Sequence, residues 1–324
     1  MIDRLRAIDR AMGTERAEKK TIREEWMKHI QICIEEADEE GIPLYLTLSG
    51  AEGIDIKKLI DEEILKLTKV GSIDQSLEDK VIAIESNTQA AAKLKKIYPG
   101  LNIINQNFSY LVGGNTLVNY PSKKLKKYCR SKIVNLDFDN SLSIDANGDT
   151  LFFRELNWVR KLCQIHLLEP VINWKLFLTF NATIDHWDDK ILESIKNFLQ
   201  DNFEREEEFK ESCENFFEEE LFEMITGEDK LDTENLSQVQ KNKLMMIFVP
   251  KKLSQLVHND GWSIDTEMNC HYGGENKTAP MVSWIFNFSW KPGNTDIPNQ
   301  IYKECLLGIL AKVVHIKDDG ELIN

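Results

Sequence analysis

The chain predicts an α/β fold on a doubly wound, mainly parallel sheet, and three observations carry that reading. The apolar run Pro43-Leu-Tyr-Leu-Thr-Leu48 leads into the small-residue turn Ser49-Gly-Ala-Glu-Gly53 and a helical stretch, and a second apolar run, Lys80-Val-Ile-Ala-Ile-Glu85, ends in an acid. A strand, a tight turn, a helix and an acid-tipped strand form the pattern of a nucleotide-binding half-sheet, in which the turn lets backbone approach a ligand and the acid can grip a ribose. Short apolar strands then alternate with helical patterns to about residue 181, the sequence form of parallel strands linked by crossover helices. Last, the alternating runs Trp262–Tyr272 and Met281–Trp290 flank the turn-like Gly273–Asn276 and read as an antiparallel hairpin.

Taken in order, residues 1–41 form an N-terminal helical extension: after Thr21, Ile22, Trp26, Ile30, Cys33 and Ile34 recur mostly at spacings of three and four, and Gly41 ends the run. Its basic residues Arg4, Arg6, Arg10, Arg16, Lys19, Lys20 and Arg23 read most simply as a solvated face, with a nucleic-acid or partner contact as the alternative. Strands are expected at 43–48, 80–85, 102–106, 132–138 and 174–181, with helices at 56–68, 88–98, 121–130 and 151–168. Asn87 suits the N-cap of the second helix, and Pro99-Gly100 ends it. An acidic helical insertion, about 188–257, follows; it interleaves glutamates with Phe203, Phe209, Phe216, Phe217 and Phe222, an apolar stripe suggesting one long helix, and Pro250 is expected to kink or restart its last helix. Residues 291–324 read as a helix at about 298–312 and a polar tail.

Composition narrows the function classes. The 324 residues are 42% hydrophobic with a formal net charge of -14, which argues against coating nucleic acid through the overall field and leaves only a local basic face, densest at Lys123–Lys127 with Arg130 and Lys132. The N-terminus is too charged for a secretory leader and no apolar run approaches the roughly 20 residues of a membrane span, so a cytoplasmic protein without membrane contact is expected. Six scattered cysteines show no CxxC pair and no zinc-site spacing, which implies free thiols.

Five crossover-linked strands, a long helical connection and a hairpin, with the Ser49–Gly53 turn and Glu85, resemble the class I S-adenosylmethionine-dependent methyltransferase superfamily over residues 42–290. The resemblance implies a seven-stranded sheet of order 3-2-1-4-5-7-6, with N-terminal helices and the helical insertion before the final hairpin. It implies S-adenosylmethionine as cofactor, beside Ser49, Gly50 and Gly53, with Glu85 on the ribose and Asn107 and Phe108 near the adenine. The motifs are degenerate: Thr47 stands where the family carries an acid for the methionine amine, and Ser49 and Ala51 replace glycines. Glu52 and Asp55 are candidates for a displaced amine contact. At Val134–Ser141 the Pro-Pro motif of base amino-methyltransferases is absent. Alternation aims Asn135, Asp137 and Asp139 to one side near the strand's carboxyl end, and Asp137 and Asp139 are the candidate catalytic residues, able to orient a nucleophile, accept a proton or hold a metal. Their simpler reading is a turn and its cap. Two functions follow as expectations: a methyltransferase-like transferase of unnamed acceptor, or a catalytically inactive scaffold whose acidic insertion meets a protein partner in a larger complex. His166 reads as a core or flank histidine, while His186 and the Cys270-His271-Tyr272 run are weaker pocket candidates.

Overall fold

A computed structural model describes residues 16–35, 45–68, 72–73, 80–113, 131–138, 140–147, 150–168, 171–183, 187–228, 230–273, 279–291, 309, 313–317 and 319–323. The chain divides into two compact units, one drawn from Met1–Asp137, Ile165–Phe177 and Asp319–Glu321, the other from Phe138–Gln164, Leu178–Asp318 and Leu322–Asn324.

In the first unit, helix α1 (Ala17–Glu35) precedes β1 (Tyr45–Leu48), α2 (Ile54–Asp61), β2 (Val81–Ile84), α3 (Thr88–Ile97), β3 (Asn102–Ile104), the single turn α4 (Phe108–Leu111) and β4 (Ile133–Asp137). The strands are nearly continuous apolar runs because both faces are covered, as parallel sheets require. β1 pairs in parallel with β2 on one side and β4 on the other, and β2 pairs with β3. Ile22, Trp26 and Ile30 of α1 are buried at the expected spacings, with the Trp26 indole stacked 5.6 Å from Phe177. Asn87 caps α3, its side chain accepting from Gln89 N and Ala90 N, and His166 is buried against Ser131 O and stacked on Trp174.

The second unit contains the hairpin β5 (Ile144–Asn147) and β6 (Thr150–Phe153), most of α5 (Arg154–Leu168), and the helices α6 (Asp189–Arg205), α7 (Glu207–Phe216), α8 (Glu219–Thr226) and α9 (Gln238–His258). After them come β8 (Trp262–Tyr272), β9 (Met281–Trp290), β10 (Val313–Ile316) and β11 (Leu322–Ile323). β8 and β9 form the expected antiparallel hairpin, with a bulge between Thr266 and Met268. With β7 (Asn173–Asn181), the main sheet has nine mostly parallel strands in the order 3-2-1-4-7-9-8-10-11. Counted without the separate β5–β6 hairpin, its first seven strands run 3-2-1-4-5-7-6, and the two strands beyond them correct the expected seven to nine.

Four further expectations are corrected. The Phe-bearing stretch of the insertion is three helices rather than one: on a straight helix Phe203 and Phe209 would sit about 120° apart, whereas the extended Glu206 between α6 and α7 re-aims the chain and brings the two rings to 5.7 Å. A second break at Phe217 buries that ring as well. Pro250 does not restart α9, which runs through it from a Ser237–Gln240 capping box. The first residues of the helix expected at 151–168 belong to β6, and the polar tail carries β10 and β11. The helices expected at 121–130, with the Lys123–Lys127 patch, and at 298–312, save Ile309, lie outside the described residues, as do Asp139, His186 and residues 1–15 with Arg4, Arg6 and Arg10. Among the described residues, no helix is long and apolar enough to cross a membrane, and Cys163 and Cys213 are free thiols. Burial pushes the Cys163 and Cys213 thiols up, away from the thiolate form.

Candidate site at the carboxyl ends of β1–β4

The order 3-2-1-4 reverses the winding direction between β1 and β4, and ligands of open α/β sheets sit outside the carboxyl ends at such a switch point. Tyr45 and Thr47 point to one face of β1, and the register Thr47↔Asn135 sets Asn135 beside them on β4. Asp55, on the first turn of α2, enters this face and is buried. Arg23 Nε of α1 donates to Asp55 Oδ1 at 2.6 Å, and Asn135 Nδ2 donates to Asp55 Oδ2 at 2.9 Å. The same Oδ2 accepts from Thr47 Oγ1 at 3.2 Å and from the Tyr45 hydroxyl at 3.4 Å, and that hydroxyl also accepts from Asn135 Nδ2 at 2.7 Å. Burial first, then the Asp55 charge, holds the Tyr45 phenol well above its ordinary pKa, so it remains a donor.

Asp55 is therefore the hub of an internal network and not an open amine ligand. Glu52, the other displaced candidate, pairs with Lys93 at 2.7 Å on the surface. The basic face of α1 is likewise not wholly solvated: Arg23 is buried in its pair, and Lys19, four residues earlier on the same helix face, reaches Asp137 Oδ2 at 3.0 Å. Both cations turn inward because each meets a carboxylate at the sheet's end.

Ser49 and Asp137 each lie two residues beyond the Thr47↔Asn135 pair, on adjacent strand ends. Ser49 Oγ, Asn135 Oδ1 and Asp137 Oδ1 are buried without a hydrogen-bond partner among the described residues. A buried unsatisfied polar atom costs about 1–3 kcal/mol, so three at neighbouring strand ends mark a place built to receive something polar.

The turn after β1 divides into two roles. Gly50 has φ 61° and open space where a Cβ would project, whereas Gly53, at φ 58°, is the residue from which α2 starts. A Cβ at Gly53 would stand 2.5 Å from Leu94 Cδ1, so that glycine serves the packing of the turn on α3. Glu85 is half-buried at the end of β2; its Oε1 accepts from Asn87 N at 2.7 Å, and its side chain makes no other hydrogen bond among the described residues. Asn105 ties the β3 end back to β2, its Nδ2 donating to Glu85 O at 2.8 Å. Asn107 is exposed and caps α4 through Ser109 N, while Phe108 is buried. The fold thus brings Ser49, Gly50, Gly53, Glu85, Asn107, Phe108 and Asp137 to the ends of four neighbouring strands. Sequence reasoning missed Arg23, Lys19 and Tyr45; the signal available was the four-residue spacing of the two cations.

No curated protein matches the chain. The model of the PP_RS20740-like family matches residues 16–311, and the chain belongs to that family.

Proposed function

We propose that this protein is a methyltransferase-like domain that binds the nucleoside part of S-adenosylmethionine at the carboxyl ends of β1–β3. The observation that carries the reading is the set of unpartnered buried atoms, Ser49 Oγ, Asn135 Oδ1 and Asp137 Oδ1, at the β1/β4 switch point. Support comes from the strand order and from Glu85, whose second carboxylate oxygen makes no hydrogen bond among the described residues and would accept from a ribose hydroxyl. The fit is uneven. Glu85, the open space at Gly50 and the exposed amides of Gln106 and Asn107 suit a nucleoside, but no open carboxylate is left for the methionine amine, since Asp55 and Glu52 are both paired.

When bound, the cofactor would supply an electrophilic methyl group. The chain's own part would be alignment of an acceptor at the β4 end, with Asp137 taking a proton only once Lys19 has left it. Asp139 is the second candidate acid of the same reading. The paired state of Asp55 and Asp137 favours a second reading, a catalytically inactive scaffold that meets a protein partner through the acidic insertion. Calorimetry with S-adenosylmethionine, S-adenosylhomocysteine and adenosine separates the two. The first reading expects micromolar binding, about -8 kcal/mol, lost in Glu85→Ala. No heat for any of the three ligands with folded protein leaves the scaffold reading.

A further inference from the structure

His271 of β8 and His315 of β10 are in-register partners on neighbouring parallel strands, and their rings stack with centroids 4.4 Å apart and planes 28° from parallel. In-register residues project to the same side of the pleat, so the stacking follows from the backbone and not from a chance rotamer. Asn269, two residues before His271 and on its face, donates to Met246 O of α9 and to Ile309 O, which places the pair on the helix-covered side of the sheet. Both histidines are half-buried, and His315 Nδ1 is buried without a hydrogen-bond partner among the described residues. Two neighbouring imidazoles, one with an unanswered buried nitrogen, make a pair of nitrogen donors held by strand register.

We propose that His271 and His315 form a two-imidazole site for a borderline divalent transition-metal ion of the Zn2+, Ni2+ and Cu2+ class. Metal–nitrogen bonds of about 2.0–2.1 Å let two nitrogens on one ion stand at most about 4.2 Å apart. Strand register holds the two rings with centroids 4.4 Å apart, and rotating the half-buried rings about their side-chain torsions would turn an in-plane nitrogen lone pair of each toward one shared ion. Imidazole donors select this class over Ca2+ and Mg2+, which take oxygen ligands. The charged group facing His271 from α9 is Lys243, and its ammonium is paired with Glu218 at 3.1 Å, so the local field does not exclude a cation. Among the described residues no third His, Cys, Asp or Glu joins the pair, so water completes the coordination. The ion would bridge β8 to β10, a strand of only four residues that in turn carries the two-residue β11, and so fasten the end of the sheet.

The test uses the full chain stripped with a chelator. Calorimetry with ZnCl2 is expected to show one saturable equivalent that also raises the thermal midpoint, because an ion bound only by the folded state stabilises it. Loss of one of two ligands is expected to weaken binding about tenfold or more in His271→Ala and in His315→Ala. A His29→Ala control keeps the wild-type affinity. Cu2+-loaded protein should give an electron paramagnetic resonance spectrum with hyperfine structure from two nitrogens, reduced to one in either variant. If an alanine variant does not fold, His271→Gln and His315→Gln carry the same comparison. Absence of saturable Zn2+ and Cu2+ binding in the wild type, or unchanged binding in both variants, overturns the proposal.

Discussion

Asp55→Ala tests whether the internal network holds the first unit together. Asp55 is buried, and its loss removes the carboxylate from Arg23 at 2.6 Å and the shared acceptor from Thr47, Tyr45 and Asn135. Removing one partner of a buried ion pair costs about 3–5 kcal/mol, chiefly because the remaining charge stays buried without its counter-ion. Against a total stability of about 5–15 kcal/mol, that is enough to populate unfolded forms of this unit. The double substitution Arg23→Met with Asp55→Leu removes both charges and keeps apolar volume, so its cost should fall well below the sum of the single changes. Native-state hydrogen exchange at the β1 and β4 amides reads the effect locally, in the strands that carry the network. An Asp55→Ala cost under about 1 kcal/mol, or a double variant as unstable as the summed singles, would refute the reasoning.

Gly53→Ala places a Cβ 2.5 Å from Leu94 Cδ1 at a positive φ, and a loss of about 1–3 kcal/mol in a melting experiment is expected. Asn87→Ala removes a side chain that accepts from both Gln89 N and Ala90 N, and α3 should lose about 1 kcal/mol, read as faster amide exchange in its first turn. Burial, then His315 and Lys243, lower the His271 pKa from 6.5 to about 4, so the unfolded chain binds the proton more readily. The contribution of neutral His271 is therefore whole above pH 6.5 and is lost as pH falls to about 4, up to about 3 kcal/mol. Urea titrations of wild type and His271→Gln in chelator should diverge in that window, and parallel curves would remove the effect.

Strand periodicity was legible because the strands of the first unit are buried on both faces, so Leu46, Ile82 and Val134 lie in nearly unbroken apolar runs with turn residues at their ends. What was hidden depended on tertiary partners. The insertion contains no glycine or proline at Glu206 or Phe217, so nothing local announced that its aromatics would be turned inward by breaks. The β5–β6 hairpin was hidden too, because its strands are only four residues each and the second runs directly into the helical pattern of α5. At the candidate site, residue types pointed to strand ends but could not reveal which carboxylates were already paired. Glu85 and Asp55 look alike in sequence; only packing separates the one with a free oxygen from the one enclosed by Arg23.

That separation bears on what the site can do. In the resembled family the acid for the cofactor amine stands on the first strand, open to the crevice; here position 47 is a threonine whose hydroxyl serves Asp55 from below. The buried carboxylate of this chain is instead Asp55 on α2, and α1 supplies its cation, Arg23. The next cation on the same helix face, Lys19, then falls on Asp137 at the β4 end. One helix face thus pairs both acids, while Glu85 at the end of β2 keeps one carboxylate oxygen without a hydrogen bond among the described residues. On the methyltransferase-like reading proposed above, binding a nucleoside and transferring a group would be separable. The first would use the β1–β3 ends as they stand, and the second would require Lys19 of α1 to release Asp137.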